Sequence, residues 1–176
     1  MNSKSDDPLG GAPNSKLKTD KLLVGIVMGS KSDLPVVEET SKLLDQFEIG
    51  HEMRVISAHR TPELAHQYAK EAEKRGLEVI IAAASGAAHL AGVIASFTPL
   101  PVIGIPLEGR TMGGLDSLYS TVQMPAGVPV ATVAIGQAGA KNAAILAAQI
   151  LGVKFSYLRD KVRAYKGEMA EIIEKE

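Results

Sequence analysis

Apolar residues fall in five short runs, and each run is followed by a stretch of helical periodicity. Leu22 to Met28 is almost continuously apolar and rich in β-branched residues. That predicts a strand buried on both faces. From Leu34 to Phe47, Val36, Val37, Thr40, Leu43, Leu44 and Phe47 recur at helical spacing, with Pro35 tolerable in the first turn. His51 to Ile56 reads as a second strand, shorter and more polar at its start, as an outer strand would be. Pro62 to Arg75 predicts a helix, with Thr61 as candidate N-cap and Gly76 as its stop. Val79 to Ala84 predicts the third strand, and a small-residue helix follows to about Phe97. Pro101 to Pro106 predicts a fourth strand with prolines at its ends. Leu107 to Gly127 is the longest irregular region, with helical character from Leu115 to Gln123. Pro129 to Ile135 predicts the fifth strand, Ala140 to Leu151 an Ala-rich helix, and Tyr157 to Lys175 an amphipathic one.

Alternation of strand and helix predicts a three-layer αβα fold with a doubly wound parallel sheet of flavodoxin-like order and an extra C-terminal helix. Residues 1–20 are polar and rich in Gly, Pro, Ser and Lys, and read as a disordered tail. Residues 21–152 then form an α/β catalytic domain. Residues 153–176 form a helix packing on its own or a neighbouring subunit, through Tyr157, Leu158, Val162, Tyr165, Met169, Ile172 and Ile173.

Composition narrows the function. The 176 residues carry a net charge of −1 with the signs interspersed, so no general affinity for nucleic acid or an anionic membrane is expected. Aromatics make up 4% and Trp is absent, which argues against base stacking. No cysteine is present, so disulfides and thiolate chemistry are excluded, and a cytoplasmic location fits. No apolar run approaches the roughly 20 residues of a transmembrane helix.

Candidate chemistry sits at the strand-to-helix junctions, where ligands bind in open parallel sheets. Gly29-Ser30-Lys31-Ser32-Asp33 offers a tight backbone, hydroxyls, an amine and a carboxylate beside a helix start, which suits a phosphate and ribose hydroxyls. Neither the Walker nor the dinucleotide glycine spacing is present. Plain helix capping by Ser32 or Asp33 explains this turn equally well. Ser57-Ala58-His59-Arg60-Thr61-Pro62 places a hydroxyl, a proton carrier and an anion clamp together. Alone, it also reads as a solvated His beside an Arg paired with a surface carboxylate. Ser85-Gly86-Ala87-Ala88-His89-Leu90 gives small residues for a flat ligand and a His at the next helix, though His89 singly reads as a cap or packing residue. No spacing supports a metal site. Three such junctions along one sheet edge point to a phosphorylated-sugar or nucleotide-like ligand and proton transfer.

The same segments carry a resemblance. Met28 to Asp33, Ser57 to Pro62, Gly86-Ala87-Ala88-His89-Leu90, Asp116-Ser117-Leu118, Val122-Gln123-Met124-Pro125 and Ala134-Ile135-Gly136 resemble the PurE family, the N5-carboxyaminoimidazole ribonucleotide mutases of purine biosynthesis. The resemblance runs from about Val24 to Leu151. It implies movement of a carboxylate from the exocyclic nitrogen to the ring carbon, without a cofactor or metal. It implies His59 as the catalytic proton shuttle, with Ser30, Asp33 and Arg60 binding substrate. Ser57, Gly29, Gly86 and His89 would line the same pocket, and the assembly would be a homo-octamer. The chain departs from the usual family pattern at Ala83 and Ser85, where glycines are common, and at Ala91, where proline is common. Two alternatives stay open: a related carboxylase using free carbon dioxide, and a non-catalytic nucleotide-binding module on the same fold.

Overall fold

The computed structural model describes residues 21–175; the tail expected over residues 1–20 lies outside them. Five strands form one parallel sheet in the order β2-β1-β3-β4-β5. They are β1 (Val24–Met28), β2 (His51–Val55), β3 (Val79–Ser85), β4 (Val102–Leu107) and β5 (Ala131–Thr132). Six helices join and follow them: α1 (Leu34–Gln46), α2 (Pro62–Ala72), α3 (Leu90–Ala95), α4 (Leu115–Val122), α5 (Gly136–Leu151) and α6 (Tyr157–Glu174). This is the flavodoxin-like order expected from the alternating pattern.

The strand period of two divides the core. Ile26, Met28, Ile81, Ala83, Ile103 and Ile105 face α1 and α5, where they meet Val37, Leu44, Ala144 and Ala147. Val27, Ile80, Ala82 and Val102 face the other way, against Ala65, Tyr68, Leu90 and Ile94 of α2 and α3. Every residue of β1 is buried, as its unbroken apolar text requires, whereas the last three residues of edge strand β2 are exposed. Thr40 of α1 donates to Ala140 O at 2.8 Å, a buried polar bolt between α1 and α5.

Three local expectations need correction. The fifth strand is two residues long, not seven. Pro129 has no N–H to give the ladder, and although Val133 N still donates to Gly104 O, the chain then turns into α5. That helix begins at Gly136 rather than Ala140. Its glycine-rich start reads as a loop in sequence but is a close-packing device. A Cβ built on Gly139 would lie 1.7 Å from Ala134 O. Thr61 occupies the N-cap position of α2 but does not cap its amides. Its hydroxyl instead accepts from Ser57 N at 3.0 Å and donates to Ser57 O at 2.9 Å, closing the preceding turn.

The first half of α6 packs on its own chain: Leu158 and Val162 are buried, and Tyr165 meets Phe47 edge-on with ring centroids 5.6 Å apart. Met169, Ile172 and Ile173 remain exposed.

Gly139→Ala should lower stability by about 2 kcal/mol, because overpacking outweighs the better helix propensity of alanine. A urea midpoint at or above the parent's would show that the Ala134–Gly139 approach is not a constraint.

Candidate functional site

From β1 the chain crosses to one side of the sheet, and from β3 to the other, which leaves a crevice at the carboxyl ends of these two neighbouring strands. Gly29 N donates to Ala83 O at 3.1 Å and Ile56 N to Met28 O at 2.8 Å, so the three junctions leave the sheet side by side.

The first junction is a 3₁₀ turn, Lys31–Asp33, closed by a capping box. Ser32 N donates to Ser30 Oγ at 3.3 Å, and Ser30 N donates to Asp33 Oδ2 at 3.0 Å. Capping is therefore present, but it engages mainly one oxygen of the carboxylate. Asp33 Oδ1 receives only a long bond, 3.4 Å, from Ser32 Oγ. Asp33 is 7% exposed. Burial raises its carboxyl above the ordinary range, against the opposing pull of the Ser30 and Ser32 hydrogen bonds and the Arg60 charge.

At the second junction Arg60 is fixed by neutral oxygens. Its backbone N and its Nε both donate to Ser57 Oγ at 3.2 Å, and Nη2 donates to Gly29 O at 2.7 Å. The partners are a hydroxyl and a carbonyl, rather than a surface carboxylate. The Gly29 bond ties the second junction to the first. It leaves both Nη1 protons and the second Nη2 proton without a partner among the described residues.

The third junction brings His89 to the N-cap position of α3. His89 Nδ1 lies 2.9 Å from His59 Nε2, with the rings nearly perpendicular at 89°. One imidazole must donate to the other, so a neutral pair shares one proton across this bridge. Sequence reading singled out both residues, but their mutual bond spans 30 positions and follows only from the strand order. Gly86 plays a different part. With φ at +66° it turns the chain, and its N–H donates to Ser117 Oγ at 2.8 Å. Ser117 in turn donates to Leu107 O, so Gly86 fastens this junction to β4 and α4.

Between these walls lies a cavity of about 270 Å³. Gly29, Ser30, Asp33, Ser57, His59, Arg60 and His89 all line it, whereas Gly86 does not. Ala58, Ala84, Ser85, Ala87 and Leu90 complete the lining; of these, only Ser85 stands out individually in the sequence, as a departure from the usual family pattern. Ala84 and Ser85 end β3, and strand-end position at the crevice was the signal available for them. A neighbouring cavity of about 350 Å³ shares Asp33 and reaches Glu108 and Gly136. Among the described residues no three His, Asp or Glu side chains cluster as metal ligands.

The family model described as AIR carboxylase matches residues 23–172. The chain belongs to the AIR carboxylase family. Within that family it is 57% identical over 158 residues to the N5-carboxyaminoimidazole ribonucleotide mutase of Pyrococcus horikoshii, covering 90% of this chain and 88% of the relative. It is 60% identical over 146 residues to the mutase of Saccharolobus solfataricus, covering 83% and 91%. Among solved structures, Treponema denticola PurE superimposes with a TM-score of 0.79 at 32% identity, covering 88% of this chain and 96% of that one. The PurE resemblance in the motifs and the flavodoxin-like sheet therefore agree with an AIR carboxylase family fold.

Because the folded state holds the Asp33 proton more tightly than the unfolded chain, this group costs no stability below its ordinary value of 3.8. The cost grows as pH rises from there toward the raised folded value. Asp33→Asn keeps an acceptor for Ser30 N–H and removes the buried charge. The variant should therefore gain stability relative to the parent as pH rises above about 4 in urea titrations. Parallel stability curves across that range would contradict the assignment of a burial cost to this carboxylate.

Proposed function

We propose that this chain is an N5-carboxyaminoimidazole ribonucleotide mutase acting in de novo purine (IMP) biosynthesis, and that the cavity between the three junctions is its active site. The observation that carries the reading is the His59–His89 bond at 2.9 Å beside an Arg60 already anchored to Gly29 O. A proton carrier and an anion clamp thereby share one crevice. The names of the relatives at 57% and 60% identity support the reaction.

The proposed reaction is an internal transfer of carbon dioxide. His59, protonated and bridged to His89, gives its proton to the carbamate nitrogen. The N–C bond breaks and carbon dioxide departs, leaving the exocyclic amine. The enamine-like ring carbon then attacks the carbon dioxide, and His59 recovers the proton that this carbon loses. Protons and electrons balance over the cycle, and the scheme uses no cofactor. Holding both fragments in one cavity replaces a bimolecular step with a local one. The free guanidinium protons of Arg60 and the Ser30 turn take the phosphate, and Asp33 Oδ1 accepts from ribose hydroxyls. Ser57 acts by fixing Arg60, Gly29 by holding its Nη2, and Gly86 by holding the third junction in place.

We further propose that the chain works as a homo-octamer in the cytoplasm. Leu115, Tyr119 and Val122 lie on one face of α4 and are 46%, 58% and 47% exposed. Ile172 and Ile173 of α6 are 60% and 69% exposed. Apolar patches on regular helix faces are expected to be covered by a partner. A second copy is the occupant consistent with the octamer, and the far end of α6 would then pack on a neighbouring subunit.

His59→Asn should lower turnover by about three orders of magnitude or more, while ribonucleotide binding stays measurable by calorimetry. A near-normal rate would overturn the mechanism. The parent should also convert N5-carboxyaminoimidazole ribonucleotide without added bicarbonate. Preference for aminoimidazole ribonucleotide with a bicarbonate dependence would make it the direct carboxylase instead. Light scattering should give an octameric mass for the parent and a smaller one for Tyr119→Arg, and a monomeric parent would refute the assembly.

A further inference from the structure

The polar side chains lining the cavity are almost all engaged with one another. Ser30 Oγ accepts from Ser32, Asp33 caps Ser30, Ser57 Oγ accepts from Arg60, and His59 pairs with His89. Ser85 is the exception: it lines the cavity and is exposed, and its hydroxyl has no hydrogen-bond partner among the described residues. It is also held firmly. As the last residue of β3 it stands in register with Leu107 of β4, and the next residue, Gly86, is fastened to Ser117. A rigid backbone thus presents one uncommitted donor and acceptor in the cavity lining, at the end of β3.

In the free protein this hydroxyl is satisfied by water. When a ligand closes the cavity, the hydroxyl must gain a new partner or be left unpaired, which penalises ligands without a polar group there. Resting on the reading above, a ribonucleotide would use Arg60 for its phosphate and Asp33 for its ribose. The ring end alone is then left for Ser85. The ring of the product carries a carboxylate, and the ring of the decarboxylated intermediate does not. We propose that Ser85 is a specificity-determining substrate contact whose hydroxyl donates to the ring carboxylate, so that it distinguishes carboxylated from uncarboxylated ribonucleotide.

Calorimetric titration of the full chain with 4-carboxy-5-aminoimidazole ribonucleotide and with aminoimidazole ribonucleotide tests this. Ser85→Ala and Ser85→Gly should each weaken the carboxylated ligand about tenfold, the loss expected for one hydrogen bond to a charged group, and shift the other ligand less than about twofold. Ser85→Thr, which keeps the hydroxyl, should restore discrimination. The two hydroxyl-free variants differ in bulk, so a folding defect in one leaves the other to decide. Parent-like affinity for the carboxylated ligand in a folded hydroxyl-free variant overturns the proposal, as does equal weakening of both ligands. A parent that binds neither ribonucleotide overturns the functional reading itself, and this assignment falls with it under a distinct signature.

Discussion

The hydrogen bond from Arg60 Nη2 to Gly29 O, at 2.7 Å, joins two chain segments that leave different strands. Sheet order makes this bond available. β2 lies beside β1, and the turn after β2 therefore emerges next to the turn after β1. β3 lies on the other side of β1, so the turn carrying His89 faces the turn carrying His59 across the end of β1. An order that separated β2 or β3 from β1 would part these turns, and the Arg60–Gly29 and His59–His89 bonds depend on that adjacency. The parallel crossovers thus act on chemistry through position: they convert three separate turns into the walls of one cavity.

Much of the fold is legible in the sequence because its central strands are buried on both faces. Leu22 to Met28 and Val79 to Ala84 carry almost no polar residue, and only a doubly covered strand needs that text. The edge is less legible. β5 has one covered side, contains two paired residues, and follows a proline, so its apolar run overstates its ladder. The start of α5 is misread for a related reason. Gly136 and Gly139 look like loop residues, but Gly139 serves a tertiary approach to Ala134 that no local pattern encodes.

The candidate site follows the same division. Residue types that suit phosphate, ribose and proton transfer are visible at each turn, because turn chemistry is local. Partnerships between turns are not visible. Nothing near Arg60 in sequence indicates that its fork rests on Gly29 O, and nothing near His59 indicates His89. Gly86 illustrates a different case. It lies in a segment rich in pocket residues, yet its amide is committed to Ser117 and it stays off the cavity lining. The capping and ligand readings of Ser30–Asp33 turn out not to compete. Capping uses Oδ2 of Asp33 and largely spares Oδ1.

These internal bonds also bear on how the cavity would work. A free arginine loses up to about 2 kcal/mol of rotamer entropy when a ligand immobilises it. Arg60 has already lost much of that freedom on folding, because its Nε and Nη2 are held by Ser57 and Gly29. An anion would then meet a fork already oriented. A lysine here has no planar fork to hold in this way, so it would meet the ligand with its freedom intact. The cost moves to the folded state, where Asp33 carries a buried carboxylate. A carboxyl-transfer site benefits from that arrangement for a further reason. Carbon dioxide is small, neutral and weakly held, so little binding energy is available to rearrange side chains once it has been released. On the proposed mechanism, groups that must be in place for recapture have to be set by the fold, and the bonds among these three junctions would set them before any ligand arrives.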